Sequence, residues 1–433
     1  MACAALCRVC TYEWAARNCT RAYAHLGSLA LPFQKPKTES DPHLNIALCA
    51  PIDIHALALF SGQSTDDIPS GLGSTATTPL VVELLRRGHQ VDVFTLHKGL
   101  PKEETYRWGN LRVFVGPCRQ NHLARNFFRP EIDCLMRAIS ESRPRFIHAH
   151  WTYEFALAAI RSGIPTVTTI HDLPWRVFQH FRDPYRMVRL MMAYEVALRG
   201  EHFTAVSNDA AAHFRRFFNP KARIAVISNG LPDAVFELAD HLSRNTRWEP
   251  VFATVLQGWS RQKNPEVALQ AFQIVRRHNP NARLLMFGFG YEPNGEANRW
   301  AVQRNLDAGV TFVGSLARTE LLSRLKDEVD VLLHPSLHES FSLTAAEAMA
   351  LRKPVIAGKQ ATGVREVLGF GENGVLVDVS DPSKIAEQMT LLAENAAYRD
   401  RVAESGFARA SKLYRLGAVA QQYESLYEEI SRN

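Results

Sequence analysis

Short apolar runs rich in Val, Ile, Leu, Ala and Thr recur at 44–50, 91–95, 111–115, 146–150, 166–170, 203–207 and 224–227, with helical periodicity between them. A run that is apolar without alternation leaves no face for water. It predicts a parallel strand covered by helices on both sides. The segment 236–250 interrupts with Asp, His, Asn, Arg and Pro in loop-like order, and the alternation restarts at 252–256, 283–287, 310–313, 329–333, 355–357 and 375–377. The prediction is an α/β chain of two Rossmann-like, doubly wound parallel-sheet units facing across a cleft. The first covers 43–235, 236–250 is a linker, the second covers 251–414, and a helix over 415–433 is expected to pack back toward the first unit.

Residues 1–42 follow neither period and carry Cys3, Cys7, Cys10 and Cys19, an excess of Arg, and a Pro-rich exit at Pro32, Pro36 and Pro42. This extension is expected to be poorly ordered and dispensable for folding and catalysis; its Arg bias suits a transit peptide or a misassigned start codon. Cys3, Cys7 and Cys10 have the spacing of some iron–sulfur binders, but no surrounding strand pattern would hold a cluster.

Composition narrows the class. With 46% hydrophobic and 22% charged residues in 433, disordered, collagen-like and coiled-coil chains are excluded. No stretch reaches the ~18 apolar residues of a spanning helix. Lys plus Arg exceed Asp plus Glu by only 50 to 44, without a dense basic run, so nucleic acid is not an expected partner. The last cysteine is Cys134, no arrangement for a disulfide framework in a chain this long, which points to a reducing cytoplasm. Arg182, Arg186 and Arg189 fall at i, i+4 and i+7. One helical face of three arginines suits a solvated surface, an anionic acceptor, or peripheral contact with a membrane.

Open α/β sheets bind ligands at the carboxyl ends of their strands. After 329–333 comes His334-Pro-Ser, then Glu339 and Glu347 eight positions apart. On one helix two such side chains diverge by about 80°, so a shared target is easiest if Glu339 lies on the loop before the helix. Ser342, Leu343 and Thr344 would then form the helix mouth, whose free N–H groups favour an anion. Taken alone, the two acids fit better as a helix-start charge and a solvated one. After 252–256, Arg261 and Lys263 follow Gly258, and before 79–88 a turn contains Gly71 and Gly73, where backbone can approach a phosphate or sugar. His150, followed by Trp151, and His171 end two strands of the first unit. No Asp-x-Asp is present; Glu328-Val-Asp330 comes nearest but lies at a strand start, the wrong end for the cleft, so no metal is expected.

Several of these pieces, in order and spacing, resemble the retaining GT-B glycosyltransferases of the family 4 type (glycosyl transferases group 1). They are Val310 to Gly314, His334-Pro-Ser, Glu339 and Glu347 with seven residues between them, Lys353-Pro-Val-Ile-Ala, Thr362-Gly363 with Glu366, and Gly371 to Gly374. The resemblance runs from about Asn45 to the C-terminus. It implies an enzyme that moves a sugar from a nucleotide-diphosphate sugar to a hydroxyl of a glycan, lipid-linked or small-molecule acceptor, with retention and without a cofactor. By that resemblance Glu339 would hold sugar hydroxyls, Glu347 the ribose, Lys263 the leaving diphosphate and His171 the reacting sugar. Gly71, Gly73, Ser342, Leu343, Thr344 and Gly363 would line the donor, and His150 and Trp151 the sugar or acceptor side. The family places an arginine directly after the glycine; Trp259 stands there, leaving Arg261 as the candidate substitute. Two rivals share the architecture: a nucleotide-sugar 2-epimerase and an inactive nucleotide-sugar-binding protein.

Overall fold

The structure, a computed structural model, describes residues 44–241 and 249–432. The extension over 1–42, with its four cysteines and the expectation that it is poorly ordered, lies outside them. In the first half β1 (Asn45–Cys49), β2 (Gln90–Lys98), β3 (Glu104–Trp108), β4 (Leu111–Cys118), β5 (Ile147–His150), β6 (Thr166–Ile170), β7 (His202–Ala205) and β8 (Ile224–Val226) form one sheet, ordered β3-β4-β2-β1-β5-β6-β7-β8. In the second, β9 (Val251–Val255), β10 (Arg283–Phe287), β11 (Val310–Gly314), β12 (Val331–His334), β13 (Val355–Gly358) and β14 (Val375–Val377) form another, ordered β11-β10-β9-β12-β13-β14. Every paired neighbour is parallel except β3 with β4. The apolar runs are buried as their patterning requires: Ile46, Leu48, Phe252, Leu284 and Leu332 are at most 1% exposed, each such side chain contributing roughly 1.5–3 kcal/mol. β3 is missed by that logic. As an edge strand with one neighbour, Glu104-Thr-Tyr-Arg-Trp alternates half-buried and exposed and reads as a polar loop.

Chain direction across each sheet reverses between β1 and β5 and between β9 and β12. At such a switch point adjacent loops leave in opposite directions and open a crevice. The loops that follow β5, β9 and β12 contain Trp151, Lys263 and Glu339.

The C-terminal helix Leu416–Arg432 crosses back onto the first sheet. The Leu416 N–H donates to Leu231 O (2.9 Å), Arg87 and His89 contact the Glu424 carboxylate (2.5 and 2.7 Å), and Tyr427 meets His148 Nδ1 (2.6 Å). The segment expected as a linker from 236 begins inside a helix, Asp233–Glu237, followed by a 3-10 turn, Leu238–His241. Val235, Phe236 and Ala239 are buried there, an apolar spacing that the surrounding polar residues mask; 242–248 lie outside the described residues.

The arginine stripe dissolves. Arg182 sits in the turn between helices Pro174–Phe181 and Pro184–Arg199, because Asp183 caps and Pro184 starts the second helix. Arg186 pairs with Asp183 (2.9 Å), and Arg189 turns inward over the Tyr153 ring (3.6 Å). Among the described residues no helix is long and apolar enough to cross a membrane, and Cys49, Cys118 and Cys134 are free and buried.

Candidate active site

Glu339 lies on the loop between β12 and the helix Leu343–Ala350. Its Oε1 accepts from Lys263 Nζ (2.6 Å), which arrives from the loop after β9, and lies 3.3 Å from His334 Nε2 at the end of β12. Burial pushes the Glu339 carboxyl up, but the Lys263 ammonium and His334 outweigh it and hold the acid well below the usual carboxylate range. It is therefore ionised at neutral pH, ready to accept from hydroxyl groups. Glu347, on the helix itself and only 2% exposed, forms an ion pair with Arg318.

The helix mouth is built by Ser342, which has a positive φ of 88° and whose Oγ accepts from the Ala345 N–H (3.2 Å). A β-carbon in that region is strained, and the cap offsets part of the cost. Leu343 and Thr344, half-buried, form the first turn. Gly363, in the helix Thr362–Val367, packs directly under the acid loop: its N–H donates to Glu339 O (3.2 Å), and a β-carbon there would stand 2.4 Å from that oxygen and from Ser340 C. Gly363→Ala is expected to displace the 339–340 backbone, costing about 1–3 kcal/mol of stability and lowering turnover; thermal unfolding with steady-state kinetics checks both, and an unchanged kcat would refute the dependence on this close approach.

At the ends of β5 and β6, His150 Nδ1 and His171 Nε2 are 2.8 Å apart, one donating and one accepting. Trp151 stacks on the His171 ring (4.2 Å between centroids). Burial pushes His171 down to about 3 and, helped by the neighbouring imidazoles, His150 well below its ordinary value. Both rings are neutral at physiological pH. Behind them His148, down to about 3 through burial and then the charge of His171, reaches Tyr427 and Thr169 (both 2.6 Å), so the histidine row is anchored to the C-terminal helix.

Gly71 and Gly73 are held against β1's exit loop: a β-carbon on Gly71 would meet Ile52 O at 2.1 Å, and the Gly73 N–H donates to the same oxygen (3.1 Å). Gly71 thus has a packing reason for its glycine. The turn leads into helix Thr77–Arg86, whose approach at Ala76 lines a cavity of about 10 Å³ with His150, His171, Ser228 and Tyr423. A larger cavity, about 150 Å³, lies between the halves and is lined by Asp172, Arg176, His180, Gln262, His338, Glu339 and Ser340, among others. The His171 and Glu339 side chains therefore line different cavities. They are joined through Ser340, whose Oγ donates to His171 O (2.6 Å) while its own carbonyl accepts from Ser207 Oγ (2.6 Å). Further bonds span the halves from Gln262 N to His180 Nε2 (3.0 Å) and from Arg176 Nη1 to Thr362 Oγ1 (3.0 Å). No group of three or more His, Cys, Asp or Glu among the described residues is placed to hold a metal ion. Asp330 accepts from the Val251 N–H (2.8 Å), at the strand starts, away from the cleft.

Residues 244–409 match the family described as Glycosyl transferases group 1, and residues 73–235 match Glycosyltransferase Family 4. The chain belongs to this glycosyltransferase family. It is 26% identical over 376 residues to a D-inositol 3-phosphate glycosyltransferase of Corynebacterium efficiens, covering 80% of this chain and 88% of the relative. The fold is that of a sucrose-phosphate synthase from Thermosynechococcus elongatus (TM-score 0.70, 20% identity, 90% of this chain and 99% of that one). HepE of Anabaena, solved with UDP and glucose, is similar as well (TM-score 0.63, 17% identity, 89% and 99%). The protein is a GT-B transferase.

Within the family frame, Trp259 is the marked departure. Its ring packs with Tyr291 and Trp300 (centroids 6.1 and 5.3 Å), inside the second half. It supplies packing where an arginine would supply charge. Arg261 is exposed on the same loop, near enough to His180 to add, after burial and His338, to the lowering of that imidazole. Sequence reasoning did not single out Arg318, Ser340 or Ser207, which the structure brings against Glu347, His171 and the Ser340 carbonyl. A serine or arginine at a strand exit carries no distinguishing pattern; only the partner across the fold makes it visible.

Proposed function

We propose that this glycosyltransferase moves a sugar from a nucleoside diphosphate sugar to an acceptor hydroxyl with retention at the anomeric carbon. The observation that supports this best is the half-buried Lys263–Glu339 pair facing the cleft between the sheets (2.6 Å). The ionised Glu339 accepts from sugar hydroxyls, and Lys263 brings positive charge to the diphosphate as the anomeric C–O bond breaks and its electron pair goes to the leaving oxygen. The acceptor oxygen attacks from the same face, and its proton passes to a phosphate oxygen of the departing group. His171, neutral, orients the sugar by hydrogen bonding; with its pKa pushed down to about 3 it is a poor proton donor at pH 7. Glu347 holds the ribose, and Arg261 assists Lys263 in place of the family arginine. By similarity to the inositol phosphate enzyme, a small phosphorylated polyol is the first acceptor to test.

A thermal-shift panel of UDP-, GDP- and ADP-sugars is expected to raise the melting temperature with one donor class, since a ligand bound only by the folded state stabilises it. Turnover with that donor should require an acceptor and give a product whose anomeric configuration, read by NMR coupling, matches the donor. Turnover of donor alone would instead indicate an epimerase. Activity is expected to survive EDTA, because the cation at the diphosphate is a lysine; loss on chelation with recovery in magnesium or manganese would contradict this.

A further inference from the structure

The two acids are each matched by a separate cation, and the second match has no explanation in the chemistry of the reacting sugar. Lys263, from the loop after β9, pairs with Glu339; Arg318, the first residue of helix Arg318–Glu328 after β11, pairs with Glu347. Glu347 is buried, and a buried carboxylate without a cation takes up a proton or forces its surroundings apart. Arg318 also stands where local helix energetics oppose it. The first turn of a helix disfavours positive charge, so its place is not a device for stabilising its own helix. The Arg318 side chain is 17% exposed, so the pair is not in a closed core. Oε1 of Glu347, the oxygen paired with the guanidinium, is buried and takes part in no hydrogen bond, which leaves it able to accept one from a ligand.

We propose that Arg318 is a positioning residue of the nucleotide site, orienting the Glu347 carboxylate so that this buried oxygen receives a ribose hydroxyl. This rests on the reading of Glu347 as the ribose acid. Lys263 and Arg318 then divide the donor between them, one serving the diphosphate and the reacting sugar, the other the ribose.

The test is calorimetric titration of the full chain with UDP, GDP and ADP, each compared with its 2′,3′-dideoxy form. For the nucleotide that binds, wild type is expected to prefer the ribose form by about tenfold or more, the worth of one charge-assisted hydrogen bond. In Arg318→Gln that ratio should fall to within about threefold, and Arg318→Lys should restore much of it. A merely structural role would weaken both forms alike and leave the ratio unchanged, which would overturn the proposal. Should Arg318→Gln melt early, Arg318→Met preserves the stem and repeats the measurement. Glu347→Gln separates the two readings. If it abolishes the ratio while Arg318→Gln keeps it, the Arg318 inference alone fails; if it keeps the ratio, the ribose assignment of Glu347 fails.

Discussion

Glu339→Gln should lower kcat by about a hundredfold, a loss typical of removing one charged group aimed at the reacting centre, while nucleotide affinity stays within a few-fold. The carboxylate is ionised because Lys263 and His334 surround it (2.6 and 3.3 Å), and the amide that replaces it has only one acceptor oxygen and cannot balance the ammonium. Lys263→Ala should be at least as damaging, since it removes the charge offered to the leaving group and strands a buried carboxylate, which costs about 3–5 kcal/mol when a partner is lost from a fully buried pair and less here, where Lys263 is 20% exposed. The double variant Lys263→Met with Glu339→Gln should recover stability over Lys263→Ala but not turnover. Because the two groups act as a unit, their effects on kcat will not multiply. Kinetics on variants whose melting curves remain cooperative decide the matter: near-wild-type kcat in Glu339→Gln would remove this acid from the reaction.

Acidification should destabilise the protein well before its carboxylates are titrated. His148 and His171 have folded values of about 3, and His150 lies well below 6.5, all through burial first. The unfolded chain therefore binds more protons than the folded one below pH 6.5, so stability present above that value is lost as the pH falls toward 3. At pH 5 each of His148 and His171 is expected to withdraw about 2 kcal/mol, and the pair together should lower the melting temperature by about 10 °C relative to pH 7. Scanning calorimetry of wild type and of His148→Gln provides the check; equal melting temperatures at pH 7 and pH 5 would show that the histidine row is not held neutral. Glu339, with a depressed value, adds its own loss only below about pH 4.5.

Much of the frame was legible without coordinates, for a physical reason. A strand covered on both faces shows no alternating polar face, so 166–170, 283–287 and 375–377 could be read to the residue, and the strand-end rule placed Lys263, Glu339 and His171 on the loops where the structure has them. Local chemistry misled where a single segment serves two masters. β3 alternates because it is an edge; Val235, Phe236 and Ala239 are buried within a polar-looking stretch; and Arg182 is cut from its helix by a cap at Asp183. Periodicity along the chain thus determined which segments are strands, how many units they form and which loops can carry chemistry. The order of strands across each sheet, and with it the meeting of Arg318 with Glu347, Ser340 with His171 and Tyr427 with His148, was decided only by tertiary structure, because contacts between residues 29, 169 and 279 positions apart leave no trace in the local pattern of either partner.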